Sequence, residues 1–186
     1  MQTYISILRG INVSGHKMIK MDALQKMYAG LKFKNSKTYI QSGNVVFRDT
    51  ETEHEVLEKI IAKKILSHFG FEVPAVVKEL AELTEVLKNN PFVNKRNEDV
   101  KSLYVTFLSQ EPEQTNIDKI RGGQYASDEY ILKGSTVYLF CPNGYGNTKL
   151  NNNFFESKLK VTATTRNWKT ISELVNIAQK ISNNKI

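Results

Sequence analysis

The feature that most constrains this chain is an order of segments that occurs twice. Thr3–Leu8 is an apolar run of strand length, and Asp22–Leu31 carries helical spacing at Leu24, Met27, Tyr28 and Leu31. Lys37–Gln41 and Val45–Phe47 are β-rich runs on either side of a Ser42-Gly43-Asn44 turn. Thr52–Phe69 reads as a long amphipathic helix with Val56, Ile60, Ile61 and Ile65 on one face, ended by Gly70, and Val73–Val77 as a further strand. The order is β-α-β-β-α-β. A helical stretch, Leu80–Lys88, and the breaker Asn89-Asn90-Pro91 follow. The rhythm then resumes with a strand at Ser102–Leu108, a short helix at Thr115–Ile120, strands at Glu129–Leu132 and Thr136–Cys141, a helix at Leu150–Leu159 and a strand at Val161–Thr165. A helix at Trp168–Ile181 closes the chain. These spacings predict an α+β protein of two tandem ferredoxin-like (split-βαβ) units with antiparallel sheets. The expected boundaries are 1–78 for the first unit, 79–100 for a linker helix and loop, 101–166 for the second unit and 167–186 for the C-terminal helix. The rival architecture is one larger continuous α+β sheet, because the halves share an order of elements and no residue-level similarity.

Charge is distributed as unevenly as the elements are regular. Residues 1–48 carry eight Lys/Arg against one acid, 142–186 carry seven against two, and 49–141 carry eleven against sixteen, within a net +7. A basic face built from the two ends would favour an anionic partner, a small phosphate-bearing molecule or a nucleic acid. No apolar stretch approaches the ~18 residues of a membrane span, and Met1-Gln2-Thr3-Tyr4-Ile5 opens directly into a strand without a secretory pattern, so a cytoplasmic location and no membrane partner are expected. The single cysteine, Cys141, excludes an internal disulfide, and three histidines without CxxC or HExxH spacing give no metal site. Nothing in the composition identifies a cofactor, which stays unknown at this point.

Three segments, in this order, carry a family resemblance: Ile7-Leu8-Arg9-Gly10-Ile11-Asn12-Val13 with Gly15-His16; Tyr39-Ile40-Gln41-Ser42-Gly43-Asn44-Val45-Val46-Phe47; and Ala163-Thr164-Thr165-Arg166-Asn167-Trp168 after Asn153-Phe154-Phe155-Glu156. The chain resembles the bacterial family catalogued as domain of unknown function 1697. That resemblance implies a cytoplasmic bacterial protein with a fold similar to tandem ferredoxin-like units, and it brings no activity, cofactor or catalytic residue.

Loops of unusual length or composition supply the candidate site. Thirteen residues, Arg9–Met21, connect the first strand to the first helix, where about 4–6 would suffice. Gly10 and Gly15 with Lys17 suggest a phosphate loop, but a Walker A motif needs Gly-Lys-Ser/Thr together; here His16 intervenes and Met18 replaces the hydroxyl, which excludes a P-loop nucleoside triphosphatase. A looser anion site using Arg9, Asn12, His16 and Lys17 remains, against the plainer reading of a wandering loop with Arg9 paired to a carboxylate. The second loop, Pro142–Lys149, has Thr148 as expected helix cap. It places Tyr145 between two glycines beside Lys149, suited to stacking on a base or to covering a sheet edge, and it lacks the third glycine of a dinucleotide fingerprint. In the third, Asn167 is expected to cap the last helix with Arg166 before it and Trp168 after it, as an anion site or as structural anchors. Arg9 and Arg166 are expected to share one anion. Cys141 is expected to be a buried small hydrophobe, Ser42 a turn residue, and His54 and His68 parts of a solvated helix.

Three functions stay open on these residues: a module binding a phosphate-bearing ligand, nucleotide or RNA; an enzyme acting on a phosphorylated small molecule with His16 as acid or base; and a protein-interaction scaffold. The RNA reading lacks the aromatic RNP run, whose nearest approach is Lys101-Ser102-Leu103-Tyr104-Val105-Thr106-Phe107.

Overall fold

The computed structural model describes residues 1–50 and 52–183. The chain divides into two compact units, Met1–Glu85 with the stretch from Ser172 onward, and Val86–Ile171.

The first unit contains β1 (Gln2–Leu8), α1 (Met21–Gly30), β2 (Lys34–Tyr39), β3 (Asn44–Asp49), α2 (His54–Phe69) and β4 (Ala75–Glu79), giving a four-stranded sheet in the order β2-β3-β1-β4. Every pairing is antiparallel. β1 is central because six of its seven residues are apolar or small and can be buried on both faces. Tyr4, Leu8, Val45 and Phe47 meet Leu24, Met27 and Tyr28 of α1 and Leu57, Ile61 and Ile65 of α2. Phe33 stacks on Phe47 at 4.4 Å between ring centres. The buried Ser6 and Tyr28 hydroxyls share a 2.7 Å bond, and burial pushes the Tyr28 phenol well up.

Two expectations are corrected here. The buried stripe of α2 is Leu57, Ile61 and Ile65, and Val56 and Ile60 are 45% and 40% exposed. Both sets have i, i+4 spacing, and one residue's offset turns a side chain by 100°. The last strand of the unit starts at Ala75, two residues late, after Pro74, which has no N–H to give to a ladder.

α3 (Leu80–Lys88) follows β4 directly. The second unit then contains α4 (Pro91–Arg96), β5 (Leu103–Leu108), α5 (Gln114–Ile117), β6 (Glu129–Lys133), β7 (Thr136–Phe140), α6 (Asn152–Leu159) and β8 (Ala163–Asn167). Its sheet has the order β6-β7-β5-β8, again wholly antiparallel. Two four-stranded sheets replace the single continuous one. Asn89-Asn90-Pro91 is not merely a breaker: the Asn90 carboxamide accepts from the Phe92 N–H at 2.9 Å and Pro91 occupies the first helical position, so the triplet starts α4 and buries Phe92. Asn151, not Thr148, caps α6, accepting from the Phe154 N–H at 3.0 Å; Thr148 instead accepts from Leu150 N, which tightens the turn before the helix. α7 (Trp168–Asn183) is capped as expected, with Thr170 N donating to Asn167 Oδ1 at 2.8 Å.

In both units carboxylates accept from amides of the last strand, which is an edge strand. Glu58 of α2 accepts from Val77 N at 2.8 Å, Glu82 of α3 accepts from Glu79 N at 2.7 Å, and Glu156 of α6 accepts from Ala163 N at 3.1 Å. Edge N–H groups left open are templates for pairing with other chains.

Candidate functional site

The Arg9–Lys20 connection of the first unit is a built loop. Its organiser is Asn12, whose side chain donates to Ile19 O at 2.9 Å and Gln41 O at 2.8 Å and accepts from Ile19 N at 2.8 Å, while Asn12 N donates to Lys17 O at 3.2 Å. One side chain thus closes the base of the loop and ties it to the Ile40–Gly43 turn. Within it, His16 N donates to Val13 O at 2.9 Å over Ser14 and Gly15, at φ of 49° and 77°, a mirror-image tight turn. Lys17 is also left-handed, at 47°, and its ammonium donates to Glu72 O at 2.6 Å. Arg9 N donates to Pro74 O.

The first and second sequence segments therefore meet in space. Ile11 is buried against Gly43: a Cβ added there would stand 2.6 Å from Ile11 Cδ1 and 2.9 Å from Leu8 Cβ, so no side chain fits. Leu8 N donates to Gly43 O, and the Asn44 side chain closes the turn on Tyr39 O and Ser42 Oγ. Ile40, β-branched and 45% exposed, is held at φ 50°. Asn12, Ser14, Lys17 and Ile40, all non-glycine, are left-handed in these two touching turns. His16 and Lys17 are exposed; Arg9 and Asn12 are half-buried.

The other expected site residues belong to the second unit. Tyr145 lies on a 3-10 turn with its ring 5.2 Å from that of Tyr104, and its hydroxyl donates to Thr165 Oγ1 at 3.0 Å. Thr165 donates to Asn152 Oδ1 at 2.7 Å and shares a 2.7 Å bond with the buried Thr106 hydroxyl, so one threonine ties loop, helix and two strands together. Arg166 is buried in β8, its guanidinium donating to Thr164 Oγ1 at 3.1 Å and Thr165 O at 2.8 Å. Lys149 and Asn167 are exposed, and Trp168, the first residue of α7, is half-buried. Arg9, Asn12, His16 and Lys17 thus come together in one loop; Tyr145, Arg166, Asn167 and Trp168 cluster around the start of α7.

Two of the remaining groups are settled by their surroundings. Cys141 is fully buried, and desolvation pushes its thiol up to about 11. His54 is not merely solvated, since its Nε2 lies 3.6 Å from Glu79 and 3.5 Å from Glu82. No group of three or more His, Cys, Asp or Glu among the described residues could hold a metal ion. No helix among them is long and apolar enough to cross a membrane. The sequence reading missed the organising role of Asn12, the strain at Ile40 and the Thr106–Thr165 bond; only the asparagine inside a glycine-bounded loop left a signal.

The sequence model of one family, described as protein of unknown function (DUF1697), matches residues 1–138. A search of curated proteins gives no match. In structure the chain is similar to the conserved bacterial protein SP0830 from Streptococcus pneumoniae, with a TM-score of 0.70 and 20% identity over 95% of this chain and 98% of that one. At that identity the likeness speaks for the fold.

Proposed function

The chain belongs to the DUF1697 family, whose description assigns no activity, and we propose that it binds a phosphate-bearing ligand, nucleotide or RNA at the Arg9–Lys20 loop. The observation that carries the reading is the Asn12 clamp, which holds several left-handed residues in place while leaving His16 and Lys17 exposed. Strain of this kind persists only where the surroundings over-determine it, and turns of mirror-image geometry present backbone N–H groups to anions. Lys17 spends one ammonium hydrogen on Glu72 O and keeps two for a ligand. The architecture that frames the loop is read as two tandem ferredoxin-like units, 1–78 and 101–166, since both have the element order β-α-β-β-α-β with the first strand central. A cytoplasmic location agrees with a lone, buried cysteine.

The test is an amide NMR titration with inorganic phosphate, AMP and a short single-stranded RNA. Shift changes are expected to concentrate in residues 9–20, and Lys17→Ala and His16→Ala to weaken binding by about fivefold to tenfold, equivalent to ~1–1.4 kcal/mol, with the melting temperature unchanged. If RNA is the ligand, Lys17→Ala also lowers the salt slope by about one. Shifts that avoid residues 9–20 for all three probes defeat the reading.

A further inference from the structure

The loop that carries Lys17 also forms one wall of a groove on the first unit. The groove has a volume of about 460 Å³, and its apolar lining is Ala62 and Leu66 from α2 with Pro74 and the 1%-exposed Val73 from the segment entering β4. Lys17, whose ammonium donates to Glu72 O, and Lys63 also line it, with Glu72. Leu66 is 43% exposed although α2 has a well-filled core stripe, and Val56 and Ile60 of the same helix, with Val13 and Met18 of the loop, are exposed as well. Among the described residues, seven of the eight large exposed apolar side chains belong to this unit. Isolated exposed apolar residues need no explanation; an apolar concavity lined also by two lysines is a different case. Its volume lies within the roughly 300–1,000 Å³ of small-molecule sites.

We infer that the ligand of this unit is a small amphiphilic anion: a phosphate or carboxylate head between Lys17 and Lys63, and an aliphatic or aromatic portion laid over Ala62, Leu66, Val73 and Pro74. The inference rests on the anion-binding reading of the loop and adds the apolar half of the ligand. An inorganic anion would leave the apolar lining wet, and a neutral hydrocarbon would desolvate two ammonium groups with nothing to offset the cost. Concavity favours a discrete molecule over a bilayer, which offers only a flat surface.

The experiment compares inorganic phosphate, monomeric octyl phosphate below its micelle concentration, and phosphatidylglycerol vesicles by calorimetry. Octyl phosphate is expected to bind at least tenfold more tightly than inorganic phosphate. Ala62→Phe, which fills the groove, and Leu66→Gln, which wets it, should each remove that gain and leave inorganic phosphate binding as it was, with unchanged amide spectra elsewhere confirming the fold. Lys63→Gln should weaken octyl phosphate severalfold. Equal affinity for the two phosphates, a gain that survives Ala62→Phe, or binding to vesicles without binding of the monomer overturns the inference. In the first two of these cases the loop reading stands if inorganic phosphate still shifts residues 9–20. Octyl phosphate binding without any shift in residues 9–20 overturns the inference together with the loop reading, because the head is placed against Lys17.

Discussion

Ile40 stands where a β-branched side chain is least at home, left-handed at φ 50° and largely in solvent, so it gives up little packing when replaced. Ile40→Asn should therefore stabilise the protein by ~0.5–1 kcal/mol, visible as a rise in melting temperature of a few degrees; a fall would mean that the isoleucine packs or binds something essential. Asn12→Ala acts oppositely, since it leaves Ile19 N and the Ile19 and Gln41 carbonyls without their partner. A loss of ~1–3 kcal/mol is expected, with hydrogen exchange accelerated first in residues 9–20. Cys141, with its thiol pushed up to about 11 by burial, stays protonated in the fold well above its ordinary value of 9.0. Its contribution to stability is complete below that ordinary value and is lost as the pH rises toward 11. Native protein at pH 8 should resist thiol alkylation, and only denaturant should expose the cysteine. Arg166 illustrates what residue types alone leave undecided: a guanidinium near a helix start fits an anion site and an internal clasp equally, and its bonds to Thr164 and Thr165 are a feature of the fold alone. Arg166→Ala should cost ~2 kcal/mol of stability by denaturant titration.

At the scale of elements, periodicity identified nearly every strand and helix because each buries one face of a regular repeat, and it failed where two repeats overlap. Along α2 the sets Val56/Ile60 and Leu57/Ile61/Ile65 are both helical stripes, and only the neighbouring strands decide which one faces the core. α4 was hidden for another reason: Asn-Pro is a stop when read forward and a start when Asn90 caps and Pro91 leads. The carboxylates that accept from β4 and β8 amides were likewise illegible, since a glutamate on a helix surface looks the same whether it faces water or a strand edge. Burial raises the Glu58 carboxyl from 4.5, so its charged form weighs on the fold at neutral pH even while it accepts from Val77 N. Glu58→Gln keeps an acceptor without the charge and should match or exceed wild-type stability at pH 7, with its margin shrinking as the pH falls through the carboxylate range. Glu58→Ala leaves the amide open and should lose ~1–2 kcal/mol. Chemical denaturation at pH 7 and pH 4 separates the two.

Over the whole molecule, the charge pattern along the sequence is not a pattern between units. The first unit holds fourteen Lys/Arg against eleven acids and the second twelve against eight, so each has its own basic surplus although the middle of the chain is acidic. The repeated order of elements was legible because local periodicity reports local structure. The composition of the units was not, because the first is assembled from both ends of the sequence, Met1–Glu85 and the stretch from Ser172, and nothing in either segment announces its partner. That discontinuity matters on the ribosome. Val86–Ile171 is a single run that can complete itself as it emerges, whereas the unit begun by Met1–Glu85 is completed only by the stretch from Ser172, which emerges after the whole of the second unit.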